Sequence, residues 1–217
     1  MPRTVATLNW APRSAHSHGK ASLVNLQHVN IKFIVQNPEE VHLERLIPIF
    51  HRWIEGQVFE ELLLDVADYQ HVHEGPGVAL IGYQADYSVD NTDGRLGVRY
   101  NRKAITEGSN QDRLMQAARA ALAACQRLEA EPALDGRLRI NGQDLEIFVN
   151  DRLDAPNTDA SRQAAQPDIT AFLANLFRGR EYSLSHNSDP RRLFGLSVKA
   201  ARPFVLSELI ANLGARS

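Results

Sequence analysis

Two aspartates and two histidines lie close together in the stretch LLLDVADYQHVHEGPGVALIGYQADYSVDN, residues 62–91. Asp65 and Asp68 precede His71 and His73, whose spacing of two residues places both imidazole rings on one side of an extended segment. Imidazole and carboxylate groups together bind zinc, iron or manganese, and they also serve as general acids and bases. The two aspartates have opposite parity in a strand, so at most one of them can join the histidines.

This stretch leaves three interpretations open. His71 and His73 are the candidate ligands of a divalent metal, and Asp65 and Asp68 join them as candidates for a catalytic acid–base site. In the third interpretation, all four are rim residues of a strand–turn–strand unit and make ordinary hydrogen bonds. No cofactor is predicted beyond that metal.

A second group of polar side chains lies on a predicted hairpin. Polar and apolar residues alternate in segments 78–90 and 95–103, on either side of the turn sequence NTDG. Pairing residue 90 with residue 95 places Asp86 opposite Arg99, and a slip of two residues would change the partners but keep the faces. The candidate ligand-binding residues on this hairpin are Tyr83, Asp86, Tyr87 and Arg99.

The composition excludes several classes of protein. The chain has 217 residues, 43% of them hydrophobic, and a net charge of −2 with a pI near 6.4. Nucleic-acid binding through Arg95, Arg99, Arg102 and Lys103 is not expected, because no basic patch surrounds them. No apolar run reaches the length of a membrane-spanning helix, so no membrane partner is expected. The single cysteine, Cys125, lies on the apolar stripe of a predicted helix and excludes an intrachain disulfide.

Strands and helices alternate along the chain. A β-branched run at 29–37 predicts the first strand, and Asn37 then caps a helix that Pro48 should kink or break. The sequence SNQD at 109–112 resembles a capping box and begins a long helix, and the pair Asn141 and Gly142 predicts the turn of a second hairpin. The other predicted elements are a strand at 62–69 and helices at 167–178 and 203–213.

An internal similarity indicates a duplication. Five residues of segment 87–104 recur 96 residues later in segment 182–200, among them Asn91, which matches Asn187. The order β-α-(β)-β-β-α occurs twice along the chain. We therefore expect an α+β fold in which helices pack on a mainly antiparallel sheet, with two related halves. The expected units are a mobile N-terminal extension, 1–28, and two α+β units in one compact body, 29–134 and 135–217.

Three short motifs carry a resemblance to known proteins. They are D-V-A-D-Y at 65–69, G-P-G-V at 75–78 and D-G-R-L-G at 93–97. Together with RLRINGQDLEIFVNDRLDAPNT at 137–158, they make the chain after about residue 29 resemble a family of uncharacterised, mainly bacterial proteins. The resemblance implies a soluble bacterial protein. No activity is established for that family, so no functional residue carries over from it.

The sequence has no glycine-rich phosphate loop, dinucleotide fingerprint or nucleophile elbow. We therefore expect a non-catalytic cytoplasmic protein that binds an unknown small molecule or a protein partner, with a homodimer as one arrangement. The alternative is a metal-assisted or acid–base enzyme, hydrolytic in type, centred on Asp65, Asp68, His71 and His73.

Overall fold

The structure of the protein is a computed structural model that describes residues 24–214. Residues 1–23 of the predicted extension lie outside the described residues. Residues 24–28, which the composition assigns to the extension, are packed against the fold. Leu26 is fully buried, and its backbone N–H donates to Asn110 Oδ1 at 2.9 Å. The side chain of Gln27 exchanges two hydrogen bonds with the backbone of Thr106.

The fold is α+β, as the alternation of segments predicts, and it is built on one antiparallel sheet of eight strands in the order β2-β3-β4-β5-β1-β6-β8-β7. The strands are β1 (Val29–Val35), β2 (Leu63–Tyr69), β3 (Gly77–Gly82), β4 (Ala85–Asp90), β5 (Gly97–Arg102), β6 (Ile140–Val149), β7 (Tyr182–Ser185) and β8 (Phe194–Ala200). The helices are α1 (Leu46–Gly56), α2 (Asn110–Ala130), α3 (Asp159–Leu176) and α4 (Leu206–Gly214). Within the described range, no helix has both the length and the apolar character needed to cross a bilayer.

Alternation along the strands separates the two faces of the sheet. In β1, Ile31 and Phe33 are fully buried under the helices, whereas Asn30 and Lys32 point to the opposite side. The core of the molecule lies between the sheet and its helices, and Cys125 on α2 is buried there as predicted. We call the opposite side the polar face, and its central residues are Asn30, Lys32, Ser88, Asp90, Arg99, Glu146, Phe148 and Ser197.

The hairpin of the first half differs from the prediction in length and partners. The long strand predicted at 78–90 is two strands, because the chain turns at Tyr83 and Gln84 between β3 and β4. Gly82 precedes this turn, and a Cβ there would lie 2.4 Å from the carbonyl oxygen of Ala85. The β4–β5 register is the predicted one slipped by two residues, so Asp86 pairs with Asn101 rather than Arg99. The assignment of side chains to faces within β4 and β5 is confirmed.

Three other local predictions are wrong. The helix predicted at 167–178 is α3, which begins at Asp159, eight residues earlier. Segment 140–149 is one continuous strand, so Asn141 and Gly142 make no hairpin turn. Glycine is required there for close packing instead, since a Cβ on Gly142 would lie 1.8 Å from the Phe204 carbonyl oxygen. The first α-helix begins at Leu46 rather than at Asn37. Pro48 therefore lies in the first turn, where a missing N–H removes no intrahelical hydrogen bond, and it does not kink the helix.

The registers of the two halves are equivalent around the central pair of strands. Ile31 of β1 pairs with Ile147 of β6, and their outer partners are Tyr100 on β5 and Leu196 on β8. Tyr100 and Leu196 are 96 residues apart, the same offset that relates the repeated turn residues. Strands β4-β5-β1 and β7-β8-β6 thus occur in mirrored order about the β1–β6 pair. These registers agree with an internal duplication, which stays a prediction.

Candidate functional site

The structure does not assemble the four residues of the predicted metal or acid–base loop. Asp65 and Asp68 lie on β2, the edge strand, and His71 and His73 lie in the turn that follows, and all four are exposed. Asp65 Oδ1 accepts the backbone N–H of Val66 at 2.8 Å, and Asp68 Oδ1 accepts that of Gln70 at 2.9 Å. These aspartates satisfy local backbone donors at the sheet edge, a common structural use of the residue.

Between residues 24 and 214 there is no group of three or more histidine, cysteine, aspartate or glutamate side chains that could hold a metal ion.

The four candidate ligand-binding residues of the hairpin do not lie together in one site. Tyr83 is 70% exposed at the β3–β4 turn. Asp86 forms an ion pair of 2.7 Å with Lys103. Arg99 and Tyr87 lie on opposite faces of the sheet, so they belong to different clusters.

Arg99 belongs to an ion-pair network on the polar face. Lys32 Nζ lies 2.7 Å from Asp90 Oδ1 and 3.9 Å from Glu146 Oε2, and both its ion partners are buried. Asp90 Oδ2 lies 3.3 Å from Arg99 Nη1, and the Arg99 guanidinium also donates to Asn30 Oδ1. The cations and carboxylates in this network satisfy one another, which is the condition for burying charge.

Side chains from two loops extend this network across the β1–β6 boundary. Arg95, from the β4–β5 loop, donates to Glu146 Oε1 on β6 at 2.6 Å. Arg192, from the β7–β8 loop, forms an ion pair with Asp93 of the β4–β5 loop. The network therefore links the two halves of the sheet, and its geometry is that of a structural clamp.

Tyr87 belongs to a different cluster, on the helix side of the sheet, whose centre is Glu61. The Glu61 side chain is buried, in the loop two residues before β2 begins. Its Oε2 accepts the Tyr87 hydroxyl at 2.7 Å, and its Oε1 accepts the Tyr100 hydroxyl at 2.9 Å. Gln116 on α2 donates in turn to the Tyr100 oxygen at 2.8 Å, and Arg102 Nη1 lies 4.0 Å from Glu61 Oε1.

The connection between α1 and β2 holds Glu61 in place. Gln57 ends α1 in the left-handed region with φ of 43°, and its side-chain amide bonds both the N–H and the carbonyl of Leu63, each at 3.0 Å. This double hydrogen bond mimics a strand partner and fixes the loop between the two residues. Within that loop, the Phe59 ring stacks on the Tyr87 ring with centroids 4.2 Å apart. Glu61 is thereby anchored on both sides.

A cavity of about 460 Å³ opens beside this cluster, between the α1–β2 loop and α2. Residues 58–61 form the cavity wall on the side of the α1–β2 loop, and Tyr87 also lines the cavity. A stripe of α2 forms the other wall, because its members follow helical spacing. The stripe consists of Gln116, Arg119, Ala120, Ala123 and Arg127. Apolar walls with a few convergent polar groups are typical of small-molecule sites.

Burial determines the protonation of the two tyrosines. It raises the pKa of Tyr87 far above the ordinary range, and the hydrogen bond to the Glu61 carboxylate adds to the effect. Burial also raises the pKa of Tyr100 to about 12, with the hydrogen bond from Gln116 opposing it. Both hydroxyls are therefore protonated at neutral pH and act as hydrogen-bond donors to Glu61. Clusters of such perturbed groups beside a cavity are candidates for functional sites.

A larger hollow of about 560 Å³ lies elsewhere, near Gly142 and the loop before α4. Several of its polar side chains already have partners: Arg202 lies over the Phe204 ring at 4.0 Å and pairs with Glu208 at 3.6 Å. The side-chain amide of Gln143 donates to the Ala200 carbonyl at 2.7 Å. The Glu61 cavity is the stronger candidate because a buried, ionisable carboxylate lines it.

Sequence reasoning identified Tyr87 but missed Glu61. The only local signal is an acid placed directly before the apolar run LLL, at the start of a predicted strand. Comparison with known proteins adds no further assignment, because no family model, curated protein or solved structure matches the chain. The resemblance to an uncharacterised bacterial family therefore stays a prediction.

Proposed function

We propose that the protein binds a small organic molecule in the Glu61 cavity and does not transform it. The observation that carries the proposal is the buried Glu61 carboxylate in the wall of a cavity of about 460 Å³. A carboxylate at such a position is costly unless it is fully partnered. Retaining one beside a cavity is explained if the ligand supplies a further hydrogen bond to it.

The chemistry of the cluster supports binding rather than catalysis. Tyr87 and Tyr100 have raised pKa values, so at neutral pH they stay protonated, supply no phenolate base and remain hydrogen-bond donors to Glu61. A general base needs a pKa near the operating pH and access to the proton that it takes. The rigid hydrogen-bonded tyrosines instead hold the carboxylate in one orientation, which is what a recognition site requires.

The test is a ligand-observed NMR screen of a mixed small-molecule library. It compares the wild-type protein with Ala123→Phe, in which a phenyl ring fills the cavity from its α2 wall. The matched control is Ala130→Phe, which makes the same substitution at an exposed position at the end of the same helix. Circular dichroism and thermal unfolding of the variants establish that each is folded.

We expect a subset of the library to bind the wild type and Ala130→Phe with dissociation constants in the range of about 1 µM to 1 mM, which corresponds to roughly 4–8 kcal/mol. Ala123→Phe should lose those compounds. If a folded Ala123→Phe retains the same binders with unchanged affinity, the cavity is not the binding site and the proposal fails.

A further inference from the structure

The polar groups of the Glu61 cavity differ in sign at its two walls. On the side of the α1–β2 loop, each Glu61 oxygen accepts one tyrosine hydroxyl. A carboxylate has about four acceptor positions in total. The nearest cation is Arg102, at 4.0 Å from Oε1. This wall can therefore accept further N–H donors, and a ligand ammonium group would satisfy the charge of Glu61 as well as its lone pairs.

The α2 wall presents the opposite charge. Arg119 and Arg127 both line the cavity, and both side chains have access to solvent. One Nη of Arg119 donates to the Leu213 carbonyl at 2.6 Å, and the Arg127 guanidinium lies 5.5 Å from the centre of the Phe59 ring. A guanidinium has five N–H donors, so these contacts leave donors for an anionic group. Carboxylates are among the anions that guanidinium pairs in a bidentate geometry.

Both walls also carry apolar residues. Val58 and the Phe59 ring belong to the loop wall, and Ala120 and Ala123 belong to the α2 wall. A ligand that fits both charged groups and these apolar residues carries an ammonium group, a carboxylate and an apolar side chain. We propose that the cavity binds a free α-amino acid zwitterion with an aromatic or branched apolar side chain. This inference rests on the proposed binding function. The ammonium group is placed on Glu61, the carboxylate on Arg119 and Arg127, and the side chain against Phe59.

The first experiment separates the two charged contacts by ligand chemistry. Isothermal titration calorimetry on the 217-residue chain compares four probes: L-phenylalanine, L-leucine, phenethylamine, which lacks the carboxylate, and 3-phenylpropionate, which lacks the ammonium group. At least one of the two amino acids should bind. For the phenyl series, each truncated probe should bind at least about tenfold more weakly than L-phenylalanine, because each leaves one charged wall unpaired. Equal affinity of either truncated probe would overturn the assignment.

The second experiment tests the same two charged contacts by substituting the protein residues and measuring the same probes. Glu61→Gln should weaken L-phenylalanine about tenfold or more while leaving 3-phenylpropionate unchanged within about twofold. Arg119→Gln/Arg127→Gln should weaken L-phenylalanine but not phenethylamine, and lysine at both positions should restore part of the affinity. Glu55→Gln, at an exposed site on α1 outside the cavity, is the control. A uniform loss for all probes would show a structural effect and contradict the proposed contacts.

Failure of this inference is distinguishable from failure of the binding function. If the library screen yields compounds that Ala123→Phe loses, but neither amino acid binds, the ligand class is wrong and the cavity remains the site. If Ala123→Phe retains all binders, both proposals fail together.

Discussion

Lys32 and Asp90, 58 residues apart in sequence, form an ion pair of 2.7 Å in which each side chain is 1% exposed. Lys32 lies on β1 and Asp90 ends β4, so the contact reaches across β5 between them. The carboxylate also accepts the N–H and the hydroxyl of Thr92 and pairs with Arg99. The pair is stable only as a unit, because removal of either partner leaves the other as a buried and partly uncompensated charge.

Lys32→Met should therefore destabilise the protein severely, by about 3–5 kcal/mol. The free energy of unfolding from urea denaturation, followed by circular dichroism, measures this loss. Lys199→Met, at an exposed lysine on β8, is the matched control and should change the free energy of unfolding by no more than about 0.5 kcal/mol. A loss below about 1 kcal/mol in Lys32→Met would contradict the account of the network.

The same pair makes stability depend on acid pH. Burial raises the pKa of Asp90, but the charges of Lys32 and Arg99 outweigh burial and hold the pKa below its ordinary value. Asp90 therefore stabilises the fold above the unfolded-state pKa of about 3.9, and this contribution is lost as the pH falls through the folded-state pKa. The difference in unfolding free energy between the wild type and Asp90→Asn should shrink as the pH is lowered from about 7 to about 3. A difference that is constant over this range would contradict the assignment.

A second pH dependence, at alkaline pH, comes from the candidate site. Because the pKa of Tyr100 is raised to about 12, its contribution is present below the unfolded-state pKa of about 10 and is lost as the pH rises through the folded-state value. Spectrophotometric titration of the wild type minus that of Tyr100→Phe isolates its phenolate signal. We expect no such signal near pH 10 while the protein is folded. Ionisation of Tyr100 at about pH 10 in the folded protein would contradict its burial in the Glu61 cluster.

The turn after β2 that contains His71 and His73 should tolerate substitution. His71 and His73 are exposed in the turn after β2, so the His71→Ala/His73→Ala variant should keep the wild-type free energy of unfolding within about 0.5 kcal/mol. Elemental analysis of both proteins, purified without a histidine tag, should give the same metal content. Near-stoichiometric metal in the wild type that disappears in the variant would instead support the enzyme interpretation.

Features that depend on neighbours in sequence were predictable. Ser109 and Asp112 form the predicted capping box of α2. The faces of β4 and β5 follow from simple alternation. Their register was two residues off, because the loop between Asp90 and Gly97 is six residues long rather than four and contains a 3-10 turn at Thr92–Gly94.

The candidate site was only partly predictable, because its polar contacts are non-local. Glu61 bonds Tyr87 across 26 residues and Tyr100 across 39 residues. A single acid in a sequence carries no signal of its burial, which is decided by the strands and helix that surround it. Tyr87 was recognised because it follows the apolar alternation of β4, whereas Arg99 follows the polar alternation and therefore lies in the clamp on the other face.

The most direct test of the central claim is to identify what the Glu61 cavity retains from a deproteinised cell extract. Wild type, Ala130→Phe, Ala123→Phe and Glu61→Gln would be incubated with the same extract and washed, and the released small molecules would be measured by mass spectrometry. The account predicts at least one compound enriched on the wild type and Ala130→Phe and depleted on the other two. No enriched compound on the wild type, or the same compounds on all four folded proteins, would contradict it.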